Sequence, residues 1–155
     1  MAQYETSERD RARMRAVRGK DTAPEWAIRR LLFRLGYRYR LHASLLPGRP
    51  DIVFTRRMKV VFIHGCFWHS HDCPRGKRRP LNNQKYWDEK LTRNQMRDAD
   101  NLNALARHGW KIAVIWECEV KDLRGVKERL LKFLGRTSAP PSCPSRSSLW
   151  RANQR

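Results

Sequence analysis

One ten-residue segment, 64–73, carries most of the side chains in this chain that could do chemistry. Its sequence, HGCFWHSHDC, holds three histidines, two cysteines, an aspartate and two adjacent large aromatics. Thiolates and imidazoles are the ligands that zinc prefers, and an imidazole that titrates near neutrality suits general base catalysis. The segment follows an apolar run, 60–63, that predicts a buried strand. We therefore expect metal ligands, a base and exposed rings to meet at the end of one strand.

The cysteines and one histidine of this segment have the composition of a structural zinc site. Cys66, His71 and Cys73 follow a C-x4-H-x-C spacing, and Cys118 ends a later predicted strand. Strand ends at one edge of a sheet could bring Cys118 beside the loop, which completes a tetrahedral set without an open position. His69 could replace His71 as the ligand, but we prefer His71 because His69 suits a base. The alternative is three buried cysteines and a surface histidine.

A second set of residues suits phosphodiester hydrolysis. Asp51 follows a proline at the start of a predicted strand, where its carboxylate could hold Mg²⁺. Hydrolysis needs a metal beside the phosphate and a base for the attacking water, and His64 and His69 flank the same loop. Asp98, on a predicted helix, could orient one of them. Taken singly, Asp51 is better explained as a turn residue after proline, and Glu25 as part of a helix cap; their occurrence together in a chain of charge +19 favours the catalytic interpretation.

Three aromatic residues could contact bases. Phe67 and Trp68 lie in a polar loop and do not both fit a core, and Trp87 begins a long predicted helix. Such rings can enter a base stack and unstack a step, at the smallest cost where the step is mismatched or weakly stacked. The alternative is that the rings cover the zinc loop, and for Trp87, on the buried stripe of its helix, we favour that alternative.

The composition restricts the class of partner. The 155 residues carry 34 Lys and Arg against 15 Asp and Glu, a formal net charge of +19. A polyanion is the natural partner, and nucleic acid fits better than a membrane surface. The sequence has no transmembrane run and no visible signal peptide, so we expect an intracellular location. Four cysteines in a reducing compartment favour metal binding over disulfides.

The hydrophobic pattern predicts three helices and four strands. A capping box, Thr22 with Glu25, opens the first helix and Gly36 ends it. Strands are predicted at 37–41, 51–54 and 59–63 as an antiparallel meander, a helix at 83–107, a central strand at 110–116 and a last helix at 120–134. The order indicates an α/β fold, a mixed central sheet flanked by helices.

The long helix has a polar interruption in its inward stripe. The stripe consists of Trp87, Leu91, Asn94, Asp98, Leu102 and Leu105. Because buried polar groups need partners, the middle of this helix is expected to face something polar. Outside the domain at 21–135, residues 1–20 are interpreted as a basic arm that grips DNA, or alternatively as a frayed terminus. Residues 136–155 form an Arg/Ser/Pro tail.

Together these motifs resemble the very short patch repair (Vsr) DNA mismatch endonucleases. The resemblance rests on P-G-R-P-D at 47–51, the segment 64–73, Trp87 with Asn94 and Asp98, G-W at 109–110 and W-E-C at 116–118. It covers about residues 13–134 and implies a restriction-endonuclease-like core. It also implies an enzyme that nicks duplex DNA 5′ to the T of a T·G mismatch left by deamination of 5-methylcytosine, so that very short patch repair begins.

The resemblance further implies a role for each matching residue. Asp51 resembles the catalytic aspartate that binds Mg²⁺, with the backbone carbonyl of Ile63 as a further ligand, and His69 resembles the general base partnered by Asp98. Residues expected around the metal and the scissile phosphate are His64, Glu25 and Asn94. The implied structural zinc ligands are Cys66, His71, Cys73 and Cys118. The implied DNA-intercalating wedge is Phe67, Trp68 and Trp87.

The chain departs from the wider fold in two ways. The second acidic residue and the lysine expected after Pro-Asp are absent, since Val61, Phe62 and Ile63 stand there, and Ser70 replaces a histidine of some relatives. The hypothesis is a Mg²⁺-dependent, zinc-stabilised monomeric nuclease of the bacterial cytoplasm and nucleoid, open to contacts with other mismatch-repair proteins. The alternatives are a non-catalytic zinc-bearing DNA-binding module and a restriction-type nuclease on matched duplex.

Overall fold

A four-stranded mixed sheet flanked by helices forms the body of the molecule. The structure, a computed structural model, describes residues 20–41 and 43–137. Its elements are α1 (Ala23–Arg34), β1 (Arg40–Leu41), β2 (Ile52–Phe54), β3 (Lys59–His64), α2 (Gln84–Arg107), β4 (Lys111–Trp116) and α3 (Leu123–Leu134). The predicted mixed α/β sheet is confirmed. The predicted arm (1–20) and tail (136–155) lie outside the described residues, apart from positions 20, 136 and 137.

The strands run in the order β1-β2-β3-β4. The first three pair antiparallel, as the predicted meander requires, and β4 pairs parallel to β3, with His64 opposite Trp116. The expectation that β4 is central was wrong: within the described residues it lies at the edge of the sheet. Its sequence is apolar because both of its faces are covered, Ile115 by the core under α1 and α3 and Val114 by the core under α2.

Two side chains cover the outer edge of β4. Arg129 donates from Nη2 to the carbonyl of Val114 at 2.5 Å, and Glu119 accepts the amide N–H of Trp116 at 2.7 Å. The two side chains also pair with each other, with 2.6 Å between Nη1 and Oε1. The edge strand therefore leaves fewer backbone groups unpaired than its position alone would suggest.

The first helix begins and ends where local chemistry predicts, whereas α3 begins at Leu123, three residues later than predicted, because Asp122 caps it by accepting from the amide of Gly125. Thr22 and Glu25 form the capping box of α1, and Gly36 adopts a φ of +86° just past its end. On α2, Leu91 and Leu105 are buried, whereas Asn94 and Asp98 are partly buried between them. No helix of the described ranges, 20–41 and 43–137, combines the length and apolar character needed to cross a membrane.

Parallel pairing of β3 with β4 positions the functional segments. Both strands end at the same edge of the sheet, so the segment after His64 and the segment after Trp116 start side by side. The amide of Glu117 donates to the carbonyl of His64 at 2.9 Å and extends this pairing by one step. As a result, Cys118 comes next to the loop that carries the other cysteines.

Candidate active site and metal centre

An open cleft of about 1090 Å³ collects most of the predicted catalytic residues. Its walls come from the start of α1, the turn before β2, the end of β3 with the following loop, and the middle of α2. Six of the residues expected in catalysis or metal binding line it: Glu25, Asp51, Ile63, His64, His69 and Asp98. Residues separated by up to 73 positions in sequence thus share one site.

His69 is held from two sides. Its Nδ1 makes a short hydrogen bond to Oδ2 of Asp98, and its ring stacks on His64 with centroids 3.8 Å apart and planes at 5°. A carboxylate at Nδ1 favours the tautomer whose Nε2 is a proton acceptor. The expected pairing of His69 with Asp98 is therefore present.

His64 is kept neutral by its surroundings. Burial, followed by the neighbouring His69, lowers the pKa of His64 to about 4, and the charge of Asp98 opposes this shift only partly. The side chain is 9% exposed and contacts Phe62 and Trp116 through its ring. Near pH 7 the ring of His69 therefore stacks on an uncharged His64 ring.

Asp51 is fixed by the strand beside it. Its Oδ2 accepts the amide N–H of Ile63 at 2.7 Å. This hydrogen bond ties the start of β2 to the end of β3, and both residues line the cleft. The carboxylate of Asp51 and the backbone carbonyl of Ile63 are oxygen ligands of the type that Mg²⁺ takes in proteins, so these two residues fit that ion.

Two expected residues are engaged in structural contacts. Glu25 is buried, accepts from Thr22 Oγ1 at 2.9 Å and pairs with Arg29 Nη2 at 2.6 Å. Asn94 does not line the cleft; its Nδ2 donates to the carbonyl of Trp68 at 3.3 Å and its Oδ1 accepts from Arg97 at 3.1 Å. Both residues thus hold neighbouring segments in place around the site.

The four predicted zinc ligands come together. One ligand atom from each of Cys66, His71, Cys73 and Cys118 lies within 4.8 Å of the others. His71 Nδ1 lies 3.5 Å from the sulfur of Cys118, whereas the ring of His69 is bonded to Asp98. The set of three thiols and one imidazole fits a tetrahedral soft-ligand ion, and the imidazole that lies in this cluster is that of His71 rather than His69.

A backbone amide favours the thiolate form of one thiol in this cluster, which is the form that binds a metal. The amide of Gly76 lies 3.4 Å from the sulfur of Cys73 and is the main cause that lowers the pKa of this thiol to about 6. Burial instead raises the pKa of Cys66 to about 12. A Cβ on Gly76 would lie 2.0 Å from the carbonyl oxygen of His71, so no larger residue fits there.

The expected wedge residues form one aromatic cluster. Phe67 meets Trp68 at 5.1 Å and Trp87 at 5.6 Å between centroids, both edge to face. Lys90 Nζ lies 5.7 Å from the Trp68 ring and 5.2 Å from the Trp87 ring. Tyr86, which contacts Trp87 at 5.5 Å, is a further ring that the sequence did not single out. The cluster lies beside the cleft, which Trp68 also lines.

Several residues at the site were missed by sequence reasoning. Polar and charged side chains that also line the cleft are Lys20, Arg49, Arg97, Asn101 and Glu117. Glu117 could have been found, because it follows a strand predicted to end near the loop. The basic residues could not, since they are a few among 34 cations in the chain. They place positive charge along the walls of the cleft.

This combination defines a class: an α/β domain with a carboxylate–histidine cleft, a thiol-rich cluster that could hold a metal ion, and partly buried aromatic rings beside the cleft. The family model described as DNA mismatch endonuclease Vsr matches residues 1–75. The chain is 49% identical over 127 residues to the Type II nicking enzyme V.XorIIP of Xanthomonas oryzae pv. oryzae, covering 82% of this chain and 93% of that protein.

Two further relatives agree. The Type II nicking enzyme V.NmeAIP of Neisseria meningitidis is 42% identical over 121 residues, covering 78% of this chain and 86% of that protein. The DNA mismatch endonuclease Vsr of Escherichia coli is 36% identical over 118 residues, covering 76% of this chain and 75% of that protein. The chain belongs to the DNA mismatch endonuclease Vsr family.

Proposed function

We propose that this protein is an endonuclease that nicks duplex DNA 5′ to the T of a T·G mismatch and so starts very short patch repair. The observation that carries the proposal is that Asp51 and the His69–Asp98 pair line one cleft beside the aromatic cluster. Relatives named as a mismatch endonuclease and as nicking enzymes support it. The net charge of +19 suits a duplex DNA substrate.

In the proposed mechanism His69 acts as the general base. Asp98 accepts the Nδ1–H of His69, so Nε2 takes the proton from the attacking water. Asp51 and the carbonyl of Ile63 would hold Mg²⁺, which supplies positive charge to the phosphate and the leaving oxygen when bound. Stacking on neutral His64 keeps the ring plane of His69 fixed without adding a competing charge.

The remaining expected residues have supporting tasks in this proposal. Glu25 and Asn94 complete the set around the metal and the scissile phosphate, Glu25 by fixing the start of α1 and Asn94 by holding the loop at Trp68. The four ligands Cys66, His71, Cys73 and Cys118 would hold a structural zinc ion that orders the loop. Such an ion leaves no open coordination position and takes no part in hydrolysis.

The aromatic cluster is proposed to sense the mismatch. Phe67, Trp68 and Trp87 would enter the duplex beside the T·G pair, where unstacking costs least. Residues 1–20 would grip the DNA as a basic arm, ahead of the nuclease domain at 21–135 and the tail at 136–155. We further propose a monomer in the bacterial cytoplasm, at the nucleoid, where the enzyme could meet other mismatch-repair proteins.

A nicking assay on strand-labelled duplexes tests the proposal. With Mg²⁺, the wild type is expected to cut the T strand of a T·G heteroduplex at the phosphate 5′ to the T and to leave the matched duplex intact. Asp51→Ala should lose the activity, and His69→Ala should lower it by about 10²–10⁴-fold. The matched control is Asp100→Ala, which removes the same charge from an exposed position on α2.

Each other outcome has a definite meaning. Salt-sensitive binding without any Mg²⁺-dependent cut would identify a DNA-binding module instead. Equal cutting of matched and mismatched duplexes would identify a restriction-type nuclease. Wild-type nicking by Asp51→Ala would show that the catalytic assignment is wrong.

A further inference from the structure

We propose that Trp116 is a positioning residue that transmits the geometry of the four-ligand metal centre to the general base. The inference rests on the proposed role of His69. Trp116 is the last residue of β4, two positions before Cys118, and lies between the metal centre and the catalytic cleft. It neither lines the cleft nor belongs to the ligand set, so any effect on catalysis is exerted through its neighbours.

A continuous series of ring contacts connects the two sites. The indole of Trp116 stacks on the ring of His71 with centroids 4.2 Å apart and planes at 17°. The indole also meets two histidines of the cleft edge to face, His64 at 5.4 Å and 73° and His69 at 6.4 Å and 68°. His64 then stacks on His69 at 3.8 Å and 5°. Trp116 therefore connects the candidate metal ligand His71 to the proposed base His69 both directly and through His64.

The ring contacts restrict the one motion of the His69 imidazole that its hydrogen bond to Asp98 still allows, which is rotation about that bond. The hydrogen bond from Nδ1 to Asp98 anchors one edge of the imidazole, but the ring could still turn about that bond. Stacking on His64 fixes the ring plane, and His64 is in turn held by the edge contact with Trp116. Because misplacement of a catalytic group by about 1 Å can cost about 10²-fold in rate, this restraint matters for the chemical step.

Trp116 is itself held firmly enough to act in this way. Its backbone amide donates to Glu119 Oε2 at 2.7 Å, and its side chain is partly buried. Metal binding would immobilise His71, which stacks on the indole, and Cys118, which follows Trp116 by two positions in the chain. Neighbours of metal ligands typically change affinity or activity by about 10–100-fold when replaced. We expect the effect of Trp116 to fall in that range and in the turnover number rather than in substrate binding.

The test uses the full-length metal-loaded protein with Trp116→Leu and Trp116→Phe. The leucine removes the ring, whereas phenylalanine keeps an aromatic face against His71. Trp110→Leu is the matched control, since Trp110 lies just before the same strand but packs against the core under α2. Zinc per chain, the KM for T·G duplex, and kcat are measured for each protein.

The expected pattern separates positioning from simple structural support. Trp116→Leu should keep one zinc per chain and a KM within about twofold of wild type, while kcat falls about 10–100-fold. Trp116→Phe should recover most of kcat, and Trp110→Leu should leave kcat near wild type. The proposal is wrong if Trp116→Leu keeps the wild-type kcat, if it loses zinc, or if Trp110→Leu causes the same loss.

A second readout does not depend on cleavage. The chain has five histidines, so imidazole NMR resonances can be assigned by single substitutions. Loss of the indole should move the resonances of His64 and His71 in the zinc-loaded protein, and unmoved resonances would refute the ring contacts. If instead His69→Ala cuts at the wild-type rate, the proposed general base is wrong while the ring contacts can still be confirmed by NMR.

Discussion

Gly76 makes the sharpest prediction about the metal centre. In Gly76→Ala the new Cβ would lie 2.0 Å from the carbonyl oxygen and 2.8 Å from the carbonyl carbon and amide nitrogen of His71. Since real Cβ contacts essentially never fall below 3.0 Å, the backbone at His71 must move by about 1 Å or more. Metal–ligand distances tolerate only about 0.2 Å, so the imidazole of His71 leaves its place in the cluster.

The same substitution disturbs a second ligand. The Gly76 amide, which lowers the pKa of Cys73, must move when the backbone relieves the clash. The Cys73 thiol therefore loses the hydrogen bond that favours its thiolate. Two disturbed ligands out of four are expected to weaken zinc binding by at least about 10–100-fold, or about 1.4–2.7 kcal/mol. The rate of mismatch nicking should fall together with zinc affinity, because the loop that carries the metal ligands also carries His69.

Chelator competition measures this loss directly. Zinc is titrated away from each protein with a chromophoric chelator, and the unfolding temperature is recorded with and without excess zinc. Gly109→Ala is the control: unlike Gly76, Gly109 has a positive φ, +78°, but a Cβ there would meet open space, and Gly109 lies nine positions before Cys118. That variant should lose stability without losing zinc affinity. Zinc affinity of Gly76→Ala within twofold of wild type would refute the reasoning.

Three further predictions concern the cleft. Asp98→Asn should lower kcat on T·G duplex by about 10²–10⁴-fold, because an amide no longer favours the Nδ1–H tautomer of His69; equal loss in the exposed Asp100→Asn would contradict this. Asn94→Asp removes the N–H donor to the Trp68 carbonyl, a hydrogen bond that contributes about 1 kcal/mol, so kcat should fall about fivefold. An unchanged kcat would contradict this contribution of the contact. The folded-state pKa of His64, about 4, lies below its unfolded value of 6.5, so the unfolded chain takes up the proton first and stability falls as pH drops from 6.5 towards 4. His64→Gln should remove this part of the pH dependence, at most about 3 kcal/mol, in urea unfolding at both ends of that window; an identical slope in the variant would refute it.

The order of elements and the ligand set could be read from the sequence because they depend on local signals. The capping box at Thr22, the meander and the polar interruption at Asn94 and Asp98 each have a short-range cause. The grouping of Cys118 with the loop followed from the shared edge of parallel strands. These predictions needed no knowledge of how distant side chains pack.

Other features depended on packing that the sequence does not reveal. Apolar residues from Lys111 to Trp116 indicated a central strand, yet two separate cores give an edge strand the same composition. The role of Trp116 was invisible because an aromatic at a strand end is most simply explained as core. Glu25 was expected at the metal, but its pairing with Arg29 could only be found in three dimensions.

The covered edge of β4 has a consequence for the behaviour of the protein in solution. An exposed strand edge is a template on which a second molecule can add its own strand, and growth of such contacts leads to aggregates. Here the guanidinium of Arg129 and the carboxylate of Glu119 occupy two of the backbone groups that an incoming strand would use, the carbonyl of Val114 and the amide of Trp116. The ion pair of Arg129 and Glu119 on the surface therefore protects the nuclease from aggregation. Such an enzyme must stay dispersed while it searches a long duplex.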